Sequence, residues 1–159
     1  MSSDPVRHPS QSFVESTHLV LPSDTNAVGG TFGGRIMQWM DIAAGISAGR
    51  HCGRPAVTVA VDQLHFARPI HLGDVVVVRA QVNHAGKSSM EVGVEVEREH
   101  AGSLVREHCL SGYFIFVAVD DQGRPMNVPP MEPQTEEEKR RFEDALRRRS
   151  RRLSSRSKA

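Results

Sequence analysis

The sequence predicts an α+β fold in which one long apolar helix is wrapped by a curved antiparallel sheet of five or six strands, with an amphipathic helix after the sheet. Three observations carry this. Ile36 to Arg50, "IMQWMDIAAGISAGR", has apolar residues at Ile36, Met37, Met40, Ala43, Ala44, Ile46 and Ala48 on nearly every side, the pattern of a buried helix. Downstream, "AVTVAVDQLHFARP", "DVVVVRAQVNHAG", "SSMEVGVEVERE" and "REHCLSGYFIFVAVD" alternate and are rich in β-branched residues, with turns at "HLGD", "HAGKS", "EHAGS" and "DDQGRP". Then "VPPMEPQTEEEKRRFEDALRRRSRRL" places Thr135 three residues before Glu138, a capping box, with acids in the first turn and bases in the last.

In chain order, residues 1–12 are polar and expected to be disordered. The domain itself spans 13–133. It begins with a short strand in "STHLVLPSD", ended by Pro22 and a turn around Ser23 and Asp24. The helix follows, with Gly45 and Gly49 lowering its intrinsic stability and so pointing to close backbone approach. The four long strands are expected as an antiparallel meander. Residues 134–153 form the second helix, docked through Phe142, Leu146 and Leu153, and 154–159 a frayed basic tail. A long apolar helix wrapped by such a sheet is the hot-dog arrangement. Since the sheet covers one face of the helix, a second copy is expected to cover the other.

Composition narrows the function. At 159 residues the chain fits one domain. No apolar run reaches the ~18 residues of a membrane span, and "MSSDPVRHPSQS" lacks the apolar stretch of a secretory signal, so a cytoplasmic protein is expected. Cys52 and Cys109 form no CxxC and are too few for a disulfide framework. Net charge is +1, yet Arg147 to Ala159 holds seven of the twenty Lys and Arg. The preceding body is therefore about −6, from thirteen basic against nineteen acidic residues.

The chemistry concentrates in "NAVGGTFGGRIMQWMD", Asn26 to Asp41. Gly33 and Gly34 open the helix, where free N–H groups can hold a developing oxyanion. Asp41 sits among hydrophobes, and an unpaired buried charge costs several kcal/mol, so it is expected at a boundary or in use. It lies eight residues after Gly33, about 12 Å along the same helix, too far to act on one carbonyl carbon. If both serve one reaction, the acid comes from one subunit and the glycines, with Asn26, from another across a twofold axis.

At these residues the sequence resembles the hot-dog acyl-CoA thioesterases, the group with cytosolic long-chain, brain and brown-fat types and single-domain bacterial members. "LPSDTNAVGGTFGGRIMQWMD", "VTVAVDQLHFARPIHLGDVV", "KSSMEVGVEV" and "TEEEKRRFEDALRRRSRRL" carry the likeness, from Thr17 to about Leu153. The resemblance implies hydrolysis of a fatty acyl-CoA to free acid and CoA. Asn26 and Asp41 would be the catalytic pair from opposite subunits, with Asp41 acting as general base or as nucleophile through an anhydride. It also implies CoA binding along Val59, Ala60 and Val61 and at Lys87, Ser88, Ser89 and Met90, with Arg148 or Arg149 offsetting a ribose phosphate. Dimers gathered three at a time into a hexamer are implied too. No metal or organic cofactor is, CoA being part of the substrate. "GGTFGG" stands where many relatives read "GTLFGG", so the substrate-facing loop is expected to differ in shape.

Rival readings are weaker. His51 beside Cys52 points away from it and has no third group to orient it. The eight histidines form no HxxxH or HxH pair. A hydratase would need a local His and Asp poised for proton transfer. A non-catalytic module holding acyl-CoA, or binding nucleic acid through "RRRSRRLSSRSK", lacks interleaved aromatics for the latter role, so nucleic acid is not expected as a partner.

Overall fold

The computed structural model describes residues 4–158. Its elements are β1 (Val14–Leu19), α1 (Gly33–Cys52), β2 (Ala56–Phe66), β3 (Val75–Ala85), β4 (Ser89–Glu99), β5 (Arg106–Ala118) and α2 (Glu136–Arg156), with single 3₁₀ turns at Pro9–Ser12 and Pro22–Asp24. The five strands form one antiparallel sheet in the order β1-β3-β4-β5-β2. Only β3, β4 and β5 make the expected meander. After α1 the chain enters β2 at the far edge beside β5, then crosses back to β3, so β2 is left with one open edge.

Strand alternation decides which helix meets which face. Gly112 and Phe116 of β5 face α1: a Cβ on Gly112 would lie 3.6 Å from Met40 Cε, and one on Gly45 3.6 Å from the Phe116 ring. Val76, Val78, Val82, Val92 and Phe114 join Met40, Ala44 and Ala48 in the core. Gly45 thus lets the helix sit close to the sheet, whereas a Cβ on Gly49 would meet nothing within 4 Å, so the close approach expected at Gly49 is not found. At the C-terminal end Gly53 adopts φ 66° and its N–H bonds the Gly49 carbonyl at 2.8 Å, a left-handed stop that glycine takes without strain.

α1 is not buried all round. Ile36, Met40, Ala43, Ala44, Ser47, Ala48 and His51 face the sheet, while Met37, Ile42 and Ile46 are exposed in the single chain. Val57, Val59, Val61 and Phe66 on the open edge strand β2 are exposed as well. An apolar helix face together with an unpaired apolar edge strand is the surface a second copy is expected to cover.

α2 lies on the opposite face, and its attachment corrects the expected apolar stripe. Leu146 and Leu153 are exposed; the buried residues of α2 are Glu138, Ala145 and Arg148. Arg148 reaches through to Glu91 of β4, with Nη2 donating to Oε1 at 2.7 Å, and its guanidinium lies 3.6 Å above the Tyr113 ring. Arg152 joins Glu91 to Asp62 of β2 at 3.2 and 3.1 Å. Phe142 alone of the stripe makes a ring contact, on His84 at 5.0 Å. The capping box is formed as predicted, Glu138 N–H donating to Thr135 Oγ1 at 3.1 Å.

Both ends depart from expectation. Residues 7–12 are not disordered: Arg7 N–H bonds Pro130 O at 2.9 Å, and fully buried Ser12 donates to Pro9 O at 2.7 Å while accepting from Val82 N–H at 3.0 Å. The physical reason is that β1 begins at Val14, opposite Ala80, so the Val82 N–H beyond it meets no strand and the Ser12 hydroxyl satisfies it. At the other end α2 continues through Arg156, so the first part of the expected frayed tail is helical. Residues 1–3 and 159 lie outside the described residues.

Candidate active site

The opening of α1 has no side-chain cap. Phe32 is the N-cap residue without a capping bond, and the Phe32 carbonyl is taken by the N–H groups of Arg35 at 2.9 Å and Ile36 at 3.4 Å. Among the described residues, the amides of Gly33 and Gly34 donate to no acceptor, which leaves two N–H groups at the positive end of the helix. The entrance is nevertheless not bare. A Cβ on Gly33 would lie 3.5 Å from the Phe66 ring, and one on Gly34 only 2.6 Å from the Phe32 ring. Two aromatic side chains therefore stand beside the free amides, and glycine at 34 is required for Phe32 to fold over it.

Asn26 is exposed and its loop is self-braced. Its side-chain oxygen accepts from Val28 N–H at 3.0 Å and Gly30 N–H at 3.1 Å, and its own N–H donates to Gly30 O at 2.7 Å. With the oxygen used, the Asn26 amide NH₂ is the group left to donate. It borders an open cleft of about 450 Å³ that Val28, Thr31, Ile36, Phe66, Pro69 and Ile70 line with mostly apolar surface, Arg68 and His71 adding cationic or polar edges.

Asp41 is half-buried on α1, neither sealed in the core nor free. Oδ1 accepts the Thr58 hydroxyl at 2.6 Å, and no cation pairs with this carboxylate among the described residues. Thr58 is the site residue that sequence reasoning missed. In "AVTVAV" it reads as an ordinary strand threonine. What aims it at Asp41 is its in-register pairing on β5; a bulge in β2 follows between Thr58 and Ala60. Thr58 pairs with Phe116 and so shares its α1-facing side, whereas Ala60 pairs with Ile115 on the outer face.

A second cleft, about 200 Å³, lies on the outer face between β2, β4, β5 and the end of α2. It brings together four of the residues assigned to CoA, Val59, Ala60, Ser89 and Arg149, and borders Met90, whose side chain lies opposite Phe116 and is buried in the core on the α1 side. Arg149 has no ion-pair partner among the described residues, and its Nη2 sits near the turn before β4, 3.8 Å from where a Cβ on Gly86 would be. The other four assignments do not converge there. Val61 pairs with Phe114 and faces the α1 side, because strand alternation turns it away from Ala60. Lys87 and Ser88 stay in the turn, where their carbonyls accept from Val128 N–H at 2.9 Å and Ala118 N–H at 3.0 Å. Arg148 is spent on Glu91 and Tyr113, one helical step of about 100° from Arg149. Unforeseen in the same cleft is His84, whose pKa is lowered, first by burial and then by Arg149.

Known proteins resemble this chain in sequence and fold. A family model described as Thioesterase superfamily matches residues 29–105. YkhA of Bacillus subtilis, an uncharacterized acyl-CoA thioester hydrolase, is 41% identical over 138 residues, 87% of this chain and 80% of its own. Mouse acyl-coenzyme A thioesterase 11 is 43% identical over 142 residues; this chain spans only 24% of its length. An acyl-CoA hydrolase from Staphylococcus aureus, solved with butyryl coenzyme A, coenzyme A and coenzyme A disulfide, superposes with TM-score 0.86 at 35% identity, covering 97% of this chain and 96% of that one. An apo-hexameric acyl-CoA thioesterase does so with TM-score 0.88 at 36% identity, covering 98% and 97%. With the hot-dog fold, the carboxylate on the wrapped helix and these relatives together, the chain belongs to the acyl-CoA thioester hydrolases of the Thioesterase superfamily. The Staphylococcus aureus enzyme has also been solved with alanine replacing an asparagine, an aspartate and a threonine, at spacings of fifteen and seventeen residues. Asn26, Asp41 and Thr58 stand at the same spacings.

Proposed function

We propose that this chain hydrolyses a fatty acyl-CoA to the free acid and CoA, in a site built from two copies. The observation that carries the reading is Asp41: a carboxylate held by Thr58 at 2.6 Å on the uncovered side of α1, with two unused amides at the mouth of the same helix. Since eight residues of helix separate them by about 12 Å, Asp41 of one copy meets Gly33, Gly34 and Asn26 of the other. The thioester oxygen takes hydrogen bonds from the glycine amides and the Asn26 NH₂. Asp41 removes a proton from water as it attacks the carbonyl carbon. The tetrahedral intermediate collapses by breaking the C–S bond, and CoA leaves as the thiol after protonation.

The CoA moiety lies in the outer-face cleft, along Val59 and Ala60 and against Ser89, with Arg149 opposite a phosphate. The exposed faces of α1 and β2 pair two copies, and three such dimers make a hexamer like the one solved for the relative. No resident metal or organic cofactor takes part, and the reaction runs in the cytoplasm. Among the described residues, no helix is long and apolar enough to cross a membrane. The test is thiol release from a series of acyl-CoAs: Asp41→Asn is expected to lower kcat at least about 100-fold for every chain length hydrolysed. Turnover unchanged by that substitution would remove the reading.

A further inference from the structure

Beside the Asn26 cleft lies a partly buried ion cluster that no step of this hydrolysis uses. Arg98 of β4 has a side chain only 11% exposed, and it sends its guanidinium in two directions. Nε and Nη2 both donate to Glu107 Oε2, at 3.0 and 2.8 Å, and Nη1 donates to the Pro69 carbonyl. Next to it Asp74, with a side chain 6% exposed, accepts from His71 N–H at 2.9 Å and contacts His100 Nδ1 at 3.1 Å. The segment from Pro69 to Asp74 lies outside any strand of the sheet, so these side chains hold it in place.

That segment in turn holds the Asn26 loop. Ile70 O accepts both Thr31 N–H at 2.8 Å and the Thr31 hydroxyl at 2.9 Å, Gly30 pairs with His71 as an isolated bridge, and Gly30 N–H donates to Asn26 Oδ1 at 3.1 Å. An unbroken series of bonds therefore runs from the Arg98 guanidinium through Pro69, Ile70, Thr31 and Gly30 to the Asn26 side chain. A largely buried arginine is costly unless its donors are matched. Here they are matched by one carboxylate and one loop carbonyl, a geometry that the planar fork serves and a lysine does not.

We propose that Arg98 is a positioning residue for the hydrolysis: its bond to the Pro69 carbonyl fixes the loop from Asn26 to Thr31, and with it the direction in which Asn26 presents its NH₂ to the substrate. The proposal rests on the reading that Asn26 acts on the thioester. It goes beyond that reading by making the site depend on a side chain that touches no substrate.

The experiment compares the full chain with Arg98→Gln and Glu107→Gln, by steady-state thiol release and by amide hydrogen exchange. Arg98→Gln is expected to lower kcat about 10- to 100-fold, the cost of a small misplacement of a reacting group, with KM within about twofold. Exchange of the Gly30 and Thr31 amides is expected to quicken about tenfold while the β3 amides Val76 to Val82 keep wild-type protection. Glu107→Gln, which leaves the arginine in place without its orienting carboxylate, is expected to show the same pattern at smaller size and carries the test alone if Arg98→Gln does not fold. An unchanged kcat overturns the proposal, whether or not the loop loosens. So does exchange that quickens equally in β3, which would make Arg98 a general stabiliser. The exchange measurement needs no turnover, so a failed functional reading, seen as wild-type activity in Asp41→Asn, is distinguishable from a failed role for Arg98.

Discussion

Replacing Thr58 with valine isolates one hydrogen bond. Valine keeps the β-branched shape suited to β2 and removes only the hydroxyl that donates to Asp41 Oδ1 at 2.6 Å. A hydrogen bond to a charged group contributes about 1.5–3 kcal/mol. If the bond holds the carboxylate in the orientation needed to take a proton from water, and that need is felt in the transition state, the loss converts to roughly a 10- to 150-fold fall in kcat/KM at 1.36 kcal/mol per decade. Thr58 is exposed in the single chain, so folding itself should lose no more than about 1 kcal/mol. The assay is thiol release across a range of acyl-CoA concentrations, with a denaturant midpoint measured in parallel. A Thr58→Val protein of wild-type stability that keeps kcat/KM within about twofold would show that the Asp41 carboxylate needs no partner on β2, and the role given to Thr58 would be wrong.

Arg149→Ala should raise KM for acyl-CoA about 5- to 20-fold and leave kcat nearly untouched, because the lost contact is to the CoA part of the substrate, away from the reacting carbon; saturation kinetics decide it. Burial is the first cause holding the pKa values of His18, His51 and His84 below the ordinary 6.5. The folded state therefore binds fewer protons than the unfolded chain between the depressed values and 6.5. The stability these histidines contribute is present above pH 6.5 and lost as pH falls through their folded values. Thermal unfolding midpoints should accordingly drop from pH 7.5 to pH 5.5, and His51→Gln should flatten that drop.

Much of the fold was legible because local and global signals agree. The alternation that marks β3, β4 and β5 is the alternation that buries Val76, Val78 and Val82 against α1, and the Thr135–Glu138 capping box begins α2 where the sequence put it. What escaped depends on contacts between distant parts of the chain. Nothing in the polar residues around Ser12 announces that a backbone N–H seventy positions away needs a hydroxyl. Nothing in four similar strands says that the first of them goes to the far edge.

The site divides in the same way. Asn26, Asp41 and the helix-opening glycines stand out because an acid in an apolar helix and glycines at its mouth are locally anomalous. Thr58 is locally ordinary and becomes notable only when the pairing of β2 with β5 turns it toward Asp41. The assignments to Arg148 and Arg149 could not be separated without knowing which side of α2 meets the sheet. A basic helix end allows either, and the buried Glu91 takes Arg148.

Subunit complementation addresses most directly whether Asp41 and Asn26 act across two copies. Asn26→Ala and Asp41→Asn proteins, each inactive alone, are mixed, unfolded, refolded together and assayed. In a mixed dimer one site receives Asn26 and Asp41 intact while the other receives both substitutions, and random pairing makes half the dimers mixed, so about one quarter of wild-type activity should return. Activity that stays at the level of the separate variants, in a preparation shown by mass to contain mixed dimers, would mean that both residues serve from a single copy.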